Sequence, residues 1–264
     1  MANTNTELNK NESTIKRIHF DQKESKEDSS EEDEESAIGD KAPDGIIKKF
    51  RNKNGSRSGS SKRISFDPLT LLLDASLVGE LELIKKIIVD MPNPSAANNE
   101  GITALHNAVC VGHNDIVKFL VEFGCDVNAP DCNGWTPLHC AAACNDLEMI
   151  QYLVEHGACI FATTLNHKET AVEKCNDEEE DYEECLNYFR NIKENLHSVN
   201  NSEVYAAYNY KAQSKDELNF VKGEKLTVIR MGDEIEKEWW WCKNKEHFGY
   251  VPRNLVGLYP LVNL

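Results

Sequence analysis

The sequence predicts a multidomain chain, with a disordered N-terminal tail, an α-helical solenoid of four repeats and a small all-β barrel in that order. Three observations predict it: residues 1–62 hold few large apolar side chains, residues 67–197 repeat at a fixed offset, and residues 203–262 switch to short alternating strands. At 264 residues the chain has room for two small domains besides a tail.

The tail, residues 1–62, is rich in Ser, Asn, Lys, Asp and Glu and has too little apolar surface to offset the entropy of ordering its backbone. Its charge is segregated. Asp21 to Asp40 carries ten acids against Lys23 and Lys26, and Lys41 to Arg63 carries eight bases against Asp44.

The repeats rest on a direct alignment. Gly101-Ile102-Thr103-Ala104-Leu105-His106 falls on Gly134-Trp135-Thr136-Pro137-Leu138-His139 with an offset of 33 residues, which is the ankyrin period. The offset continues through Ala108 and Ala141, Leu120 and Leu153, Val121 and Val154, and Gly124 and Gly157. One step back, Thr70, Leu72, Ala75, Gly79, Ile87 and Ile88 form a degenerate first copy. A fourth copy starts at Thr170 without the Pro, Leu and His. The expected repeats are about 67–99, 100–132, 133–165 and 166–197. Each reads as two short helices. Thr136 is the N-cap and Pro137 the first helical residue, while Leu147, Ile150, Leu153 and Val154 give the inner stripe of the second helix. Gly157 supplies a left-handed stop, and Asn133-Gly134 suits the turn between copies. The fourth copy, ending in Tyr182, Leu186, Phe189 and Ile192, fits a terminal cap.

After a polar linker around Ser198 to Ser202 come five ordered landmarks. Ala206-Ala207-Tyr208-Asn209-Tyr210 resembles the ALYDY opening of SH3 domains. Asp216-Glu217-Leu218-Asn219-Phe220, Lys222-Gly223-Glu224, Trp239-Trp240 and Gly249-Tyr250-Val251-Pro252-Arg253-Asn254 match their later elements. An all-β SH3 barrel is therefore expected over 203–262. In that fold Tyr208, Tyr210, Trp239, Pro252 and Leu255 stand at the groove that takes proline-rich peptides. Leu255 replaces the usual Tyr there.

The formal charge of -16 argues against direct nucleic-acid binding, which needs clustered bases, and favours a basic partner protein. All of it sits in the repeats: residues 1–66 hold 13 acids and 13 bases, residues 200–264 nine of each, and the segment between 23 and seven. Glu173 to Glu184 packs eight acids against Lys174, and Asp233, Glu234, Glu236 and Glu238 form a second cluster just before Trp239. Two acidic patches at one junction point to steering of a basic surface.

Nine cysteines without a Cys-x-x-Cys pair indicate neither a disulfide framework nor a zinc site, and read as reduced thiols in the cytoplasm or nucleus. No membrane insertion is expected, since about 18 apolar residues never run together. No nucleophile with a neighbouring base, phosphate loop or carboxylate pair is visible, so no enzyme, cofactor or metal is expected. His106 and His139, recurring at the repeat period, read as hydrogen-bonding within and between repeats. Cys140 and Cys144 read as packing residues.

Taken together, the repeats, the SH3 landmarks, Asp67-Pro68-Leu69-Thr70-Leu71-Leu72-Leu73-Asp74 and the ending Gly249 to Pro260 closely resemble the C-terminal half of the ASPP family, apoptosis regulators that bind p53. The resemblance implies a partner of the p53-family DNA-binding-domain type, held by the last repeat and the SH3 loops. It assigns contacts to Tyr182, Asp216, Glu217, Asp233, Glu234, Glu236, Glu238 and Trp239. Upstream, Arg63-Ile64-Ser65-Phe66 matches the RVxF-type motif that docks on the catalytic subunit of protein phosphatase 1, with Arg63, Ile64 and Phe66 as the contact residues. In ASPP proteins such a motif stands immediately before the repeats. Arg17-Ile18-His19-Phe20 is a weaker second match.

Overall fold

The computed structural model describes residues 67–232 and 238–262. The tail, the docking motif with Arg63, Ile64 and Phe66, and the acids Asp233, Glu234 and Glu236 lie outside the described residues.

The first half is a stack of helix pairs: α1 (Pro68–Val78) with α2 (Leu81–Ile88), α3 (Ala104–Val111) with α4 (Asn114–Phe123), and α5 (Pro137–Ala143) with α6 (Leu147–Glu155). Local chemistry starts and stops them where the period requires. Asp67 caps α1 by accepting the Thr70 amide at 3.0 Å, and Pro68 and Pro137 each open a helix with no amide to satisfy. Gly79, Gly112 and Gly124, at φ of 91°, 78° and 99°, end helices in the left-handed region. The facing stripes, Leu72, Ile84, Leu105, Ile116, Leu120, Leu138, Ile150 and Leu153, are fully buried.

The recurring histidines join the pairs. In His106 the Nδ1 atom accepts the Thr103 amide at 3.2 Å, so the proton sits on Nε2 and is donated to Trp135 O, one repeat further on, at 3.1 Å. His139 does the same from Thr136 to Glu169 O, at 3.2 and 3.3 Å. Burial lowers both imidazoles to about 4.

The segment after α6 departs from the pattern. Its first helix shrinks to a 3-10 turn, Ala171–Lys174, and Glu173 replaces the histidine by accepting the Thr170 amide at 2.6 Å. Then α7 (Tyr182–Glu194) buries Cys185, Phe189 and Ile192. Cys185 takes the innermost place, and Leu186 is only half buried. The expected polar linker is wound as α8 (Leu196–Asn200), whose Leu196 is buried.

The second half is a five-stranded antiparallel sheet. Its strands are β1 (Glu203–Ala206), β2 (Lys225–Arg230), β3 (Trp239–Asn244), β4 (His247–Pro252) and β5 (Val256–Gly257), in the spatial order β4-β3-β2-β1-β5. A 3-10 turn, Arg253–Leu255, joins β4 to β5. The inward positions Leu226, Val228, Trp240, Cys242, Val251 and Val256 are buried.

One continuous buried cluster runs from Leu72 to Leu258 through both halves. At the seam Phe161, just after α6, meets the Trp240 ring edge-on at 4.8 Å, and the Arg253 guanidinium lies 5.4 Å from the Phe161 ring centre. The Tyr208 hydroxyl donates to Asn128 O at 2.7 Å, and Asn200 Nδ2 donates to Leu258 O. Backbones also touch. A Cβ on Gly257 would lie 2.8 Å from Gly157 O, so only glycine fits at this approach.

The nine cysteines are free thiols, and burial pushes Cys125, Cys185 and Cys242 up to about 12. Among the described residues, no helix is long and apolar enough to cross a membrane.

Candidate partner-binding site

Two acid-bearing pieces lie on the sheet, and a third lies in the turn between Ala171–Lys174 and α7. The first is the loop from Lys211 to Asn219, closed at its base by Tyr210 and Phe220, which exchange backbone hydrogen bonds at 2.8 and 3.1 Å. Inside it Glu217 accepts hydrogen bonds from the Tyr210 hydroxyl at 2.7 Å, the Gln213 amide at 2.6 Å and the Ser214 hydroxyl at 2.7 Å. These donors hold its carboxyl below the usual range. Glu217 thus shapes the loop, and the neighbouring Asp216 is exposed, with one carboxylate oxygen 2.7 Å from the same Ser214 hydroxyl. The Tyr250 amide donates to Asp216 O at 2.7 Å and ties the loop to β4. Gly249 permits that approach, since a Cβ there would lie 2.8 Å from Asp216 O.

The second piece leads into β3. Glu238 pairs with Arg253 at 2.9 Å, and its carbonyl accepts the Arg253 amide at 3.0 Å. Because Arg253 also lies over Phe161, this corner of the sheet is fastened to the repeats. Trp239 follows, half-buried, opposite Pro252 in the β3–β4 register, with its ring 6.5 Å from that of Tyr210. Three of the groove residues, Tyr210, Trp239 and Pro252, therefore stand together.

The third piece is the run Asp177 to Asp181, exposed throughout. Asn145, in the left-handed region at φ 49°, clamps it: Nδ2 donates to Asn176 O at 2.7 Å, and Oδ1 accepts the Asn176 amide at 3.0 Å. Lys174, which interrupts the acidic sequence, turns back to pair with Glu169 and lies 5.0 Å from the Trp135 ring centre. Lys174 is thereby turned away from the run. Tyr182 opens α7 directly after it and is half-buried.

A groove of about 440 Å³ beside this run has a floor of Val109, Cys110, Ala143 and Cys144. Its rim carries Asp146, Glu148, Glu179, Glu180, Asp181 and Glu184. Burial raises Asp146, and Glu148 and Asp181 add to the rise. The sequence reading missed the contribution of Asp146 and Glu148. The signal was present, because the 33-residue offset places them on Glu179 and Asp181.

Residues 72–164 match the family model for ankyrin repeats (3 copies), and residues 205–253 match that for the SH3 domain. Apoptosis-stimulating of p53 protein 2 from Homo sapiens is 47% identical over 220 residues, 83% of this chain and 20% of that protein. An alignment of that length runs through the repeats and into the SH3 match. Over its ankyrin and SH3 portion the chain belongs to the ASPP family. RelA-associated inhibitor from Mus musculus is 48% identical over 202 residues, 76% of this chain and 24% of that protein. The chain thus spans about a fifth to a quarter of the length of these relatives. By contrast, SH3 and cysteine-rich domain-containing protein 3 from Homo sapiens, 45% identical over 51 residues, matches 19% of this chain. What sets this ASPP portion apart from a lone SH3 domain is the seam.

Proposed function

We propose that this chain is a non-enzymatic interaction regulator, acting in the cytoplasm and nucleus, that binds the DNA-binding domain of a p53-family transcription factor and so modulates transcription and apoptosis. One observation carries the reading: exposed acid stands on both halves of one continuously packed body, with Asp216 and Glu238 on the sheet and Asp177 to Asp181 before Tyr182 on the repeats. Such a surface complements a basic face that contacts DNA. Carboxylates would accept hydrogen bonds from the partner's Arg, while Trp239 supplies a desolvated anchor. The name of the relative that stimulates apoptosis through p53 agrees with this reading. In the same proposal residues 166–197 serve as a fourth, capping repeat, the sheet closes as an SH3 barrel over 203–262, and Asp233, Glu234 and Glu236 extend the acid beside Trp239. Glu234→Lys with Glu236→Lys is expected to cut capture of a p53-type DNA-binding domain sharply and flatten its salt dependence. Unchanged capture would reject the site.

A second role rests on position. Arg63-Ile64-Ser65-Phe66 ends immediately before Asp67, the cap of α1, so a docked protein phosphatase 1 would sit against the repeats. Ile64→Ala with Phe66→Ala is expected to abolish co-purification of the phosphatase, and retention would exclude this anchor.

A further inference from the structure

A polyproline helix binds an SH3 groove by seating apolar residues from successive turns in aromatic slots. Two slots can be traced here. The Ala207 amide donates to Leu255 O at 2.9 Å, which sets Leu255 beside the segment bearing Tyr208. The other slot is formed by Tyr210, Trp239 and Pro252, already together across β3 and β4.

The two slots are in different states. The Tyr208 hydroxyl carries one proton to donate, and it is given to Asn128 O of the repeats at 2.7 Å. Asn128 is itself 2% exposed and held from three directions. Its Nδ2 donates to Gly157 O at 2.9 Å, its Oδ1 accepts the Cys159 amide at 2.7 Å, and its own amide donates to Asp126 Oδ1 at 3.0 Å. The carbonyl facing Tyr208 is therefore mounted on a rigid loop. The Tyr208 hydroxyl is pushed well above its ordinary range, first by burial and then by Cys159 and Asp126. Leu255 brings no hydroxyl to replace it.

We propose that the SH3 surface of this chain is a half-groove: the ankyrin loop at Asn128 occupies the Tyr208 slot, and the Tyr210, Trp239 and Pro252 slot alone stays open. An extended polyproline helix, which needs both slots, is rejected. The repeats thereby set the ligand class of the SH3 surface. The inference is independent of which protein the acidic surface binds.

The test uses the full chain and a twelve-residue proline-rich peptide with two x-Pro pairs and a terminal Arg, followed by tryptophan fluorescence. Asn128→Ala removes both carboxamide bonds that mount the loop. It is expected to free Tyr208 and tighten peptide binding by roughly tenfold or more, the worth of one apolar anchor, with the circular dichroism spectrum retained. Tyr208→Phe is expected to lower the thermal midpoint through the lost seam bond and leave peptide binding no weaker than in the wild type. Three results would overturn the half-groove: a folded Asn128→Ala protein with no gain, tight wild-type binding that Tyr208→Phe weakens, or a Tyr208→Phe midpoint equal to that of the wild type. Should Asn128→Ala fail to fold, the two Tyr208→Phe readings decide.

Discussion

His106 and His139 use both ring nitrogens, one on their own helix cap and one on the next repeat. That arrangement requires the neutral ring, and burial fixes it by lowering each to about 4. An unfolded histidine titrates near 6.5, so below that pH the unfolded chain binds protons that the folded one refuses. Stability is therefore complete above about pH 6.5 and falls as the pH drops toward 4, by on the order of 3 kcal/mol for each ring. Denaturant melts of the wild type and His139→Gln at pH 7 and 4.5 check this. The variant is expected to be less stable at pH 7 and to lose less on acidification. Their repeat-to-repeat role was legible in the sequence, because the 33-residue offset brings Thr and His back together. Their carbonyl partners were not, since a backbone acceptor leaves no residue signature.

Among the elements, the repeats could be read closely, because caps, stops and apolar stripes all recur at one spacing. Thr136, Pro137 and Gly157 stand where the helix rules put them. Where the period slips, reading failed: Cys185 rather than Leu186 fills the core of α7, and the linker became α8. The seam was the least legible part. Tyr208 on Asn128 and Phe161 between Trp240 and Arg253 join two modules with unrelated periods, so no spacing announces them. The strictest seam contact is between backbones at Gly157 and Gly257. Gly257→Ala must push β5 away from the repeats, and overpacking of this kind costs about 1–3 kcal/mol. The expected result is a lower thermal midpoint together with faster hydrogen exchange at both Gly157 and β5. Faster exchange in β5 alone would mean that the two halves do not share the strain.

For the whole molecule, the buried cluster that crosses the seam makes the repeats and the sheet one packed body, and both halves carry exposed acids. The sequence located the acidic residues correctly along the chain. It did not show that Lys174 turns inward, that Asn145 clamps the run, or that Glu217 is committed to its own loop. Asp216 and the run Asp177 to Asp181 are exposed. One partner is proposed to read the acids of both halves at once, and the most direct measurement is calorimetric affinity for a p53-type DNA-binding domain at two salt concentrations. It compares the wild type, Asp216→Lys, and Glu179→Lys with Glu180→Lys. Each variant is expected to weaken binding by about tenfold or more and to reduce its salt dependence. Full wild-type affinity in either variant would contradict a composite site.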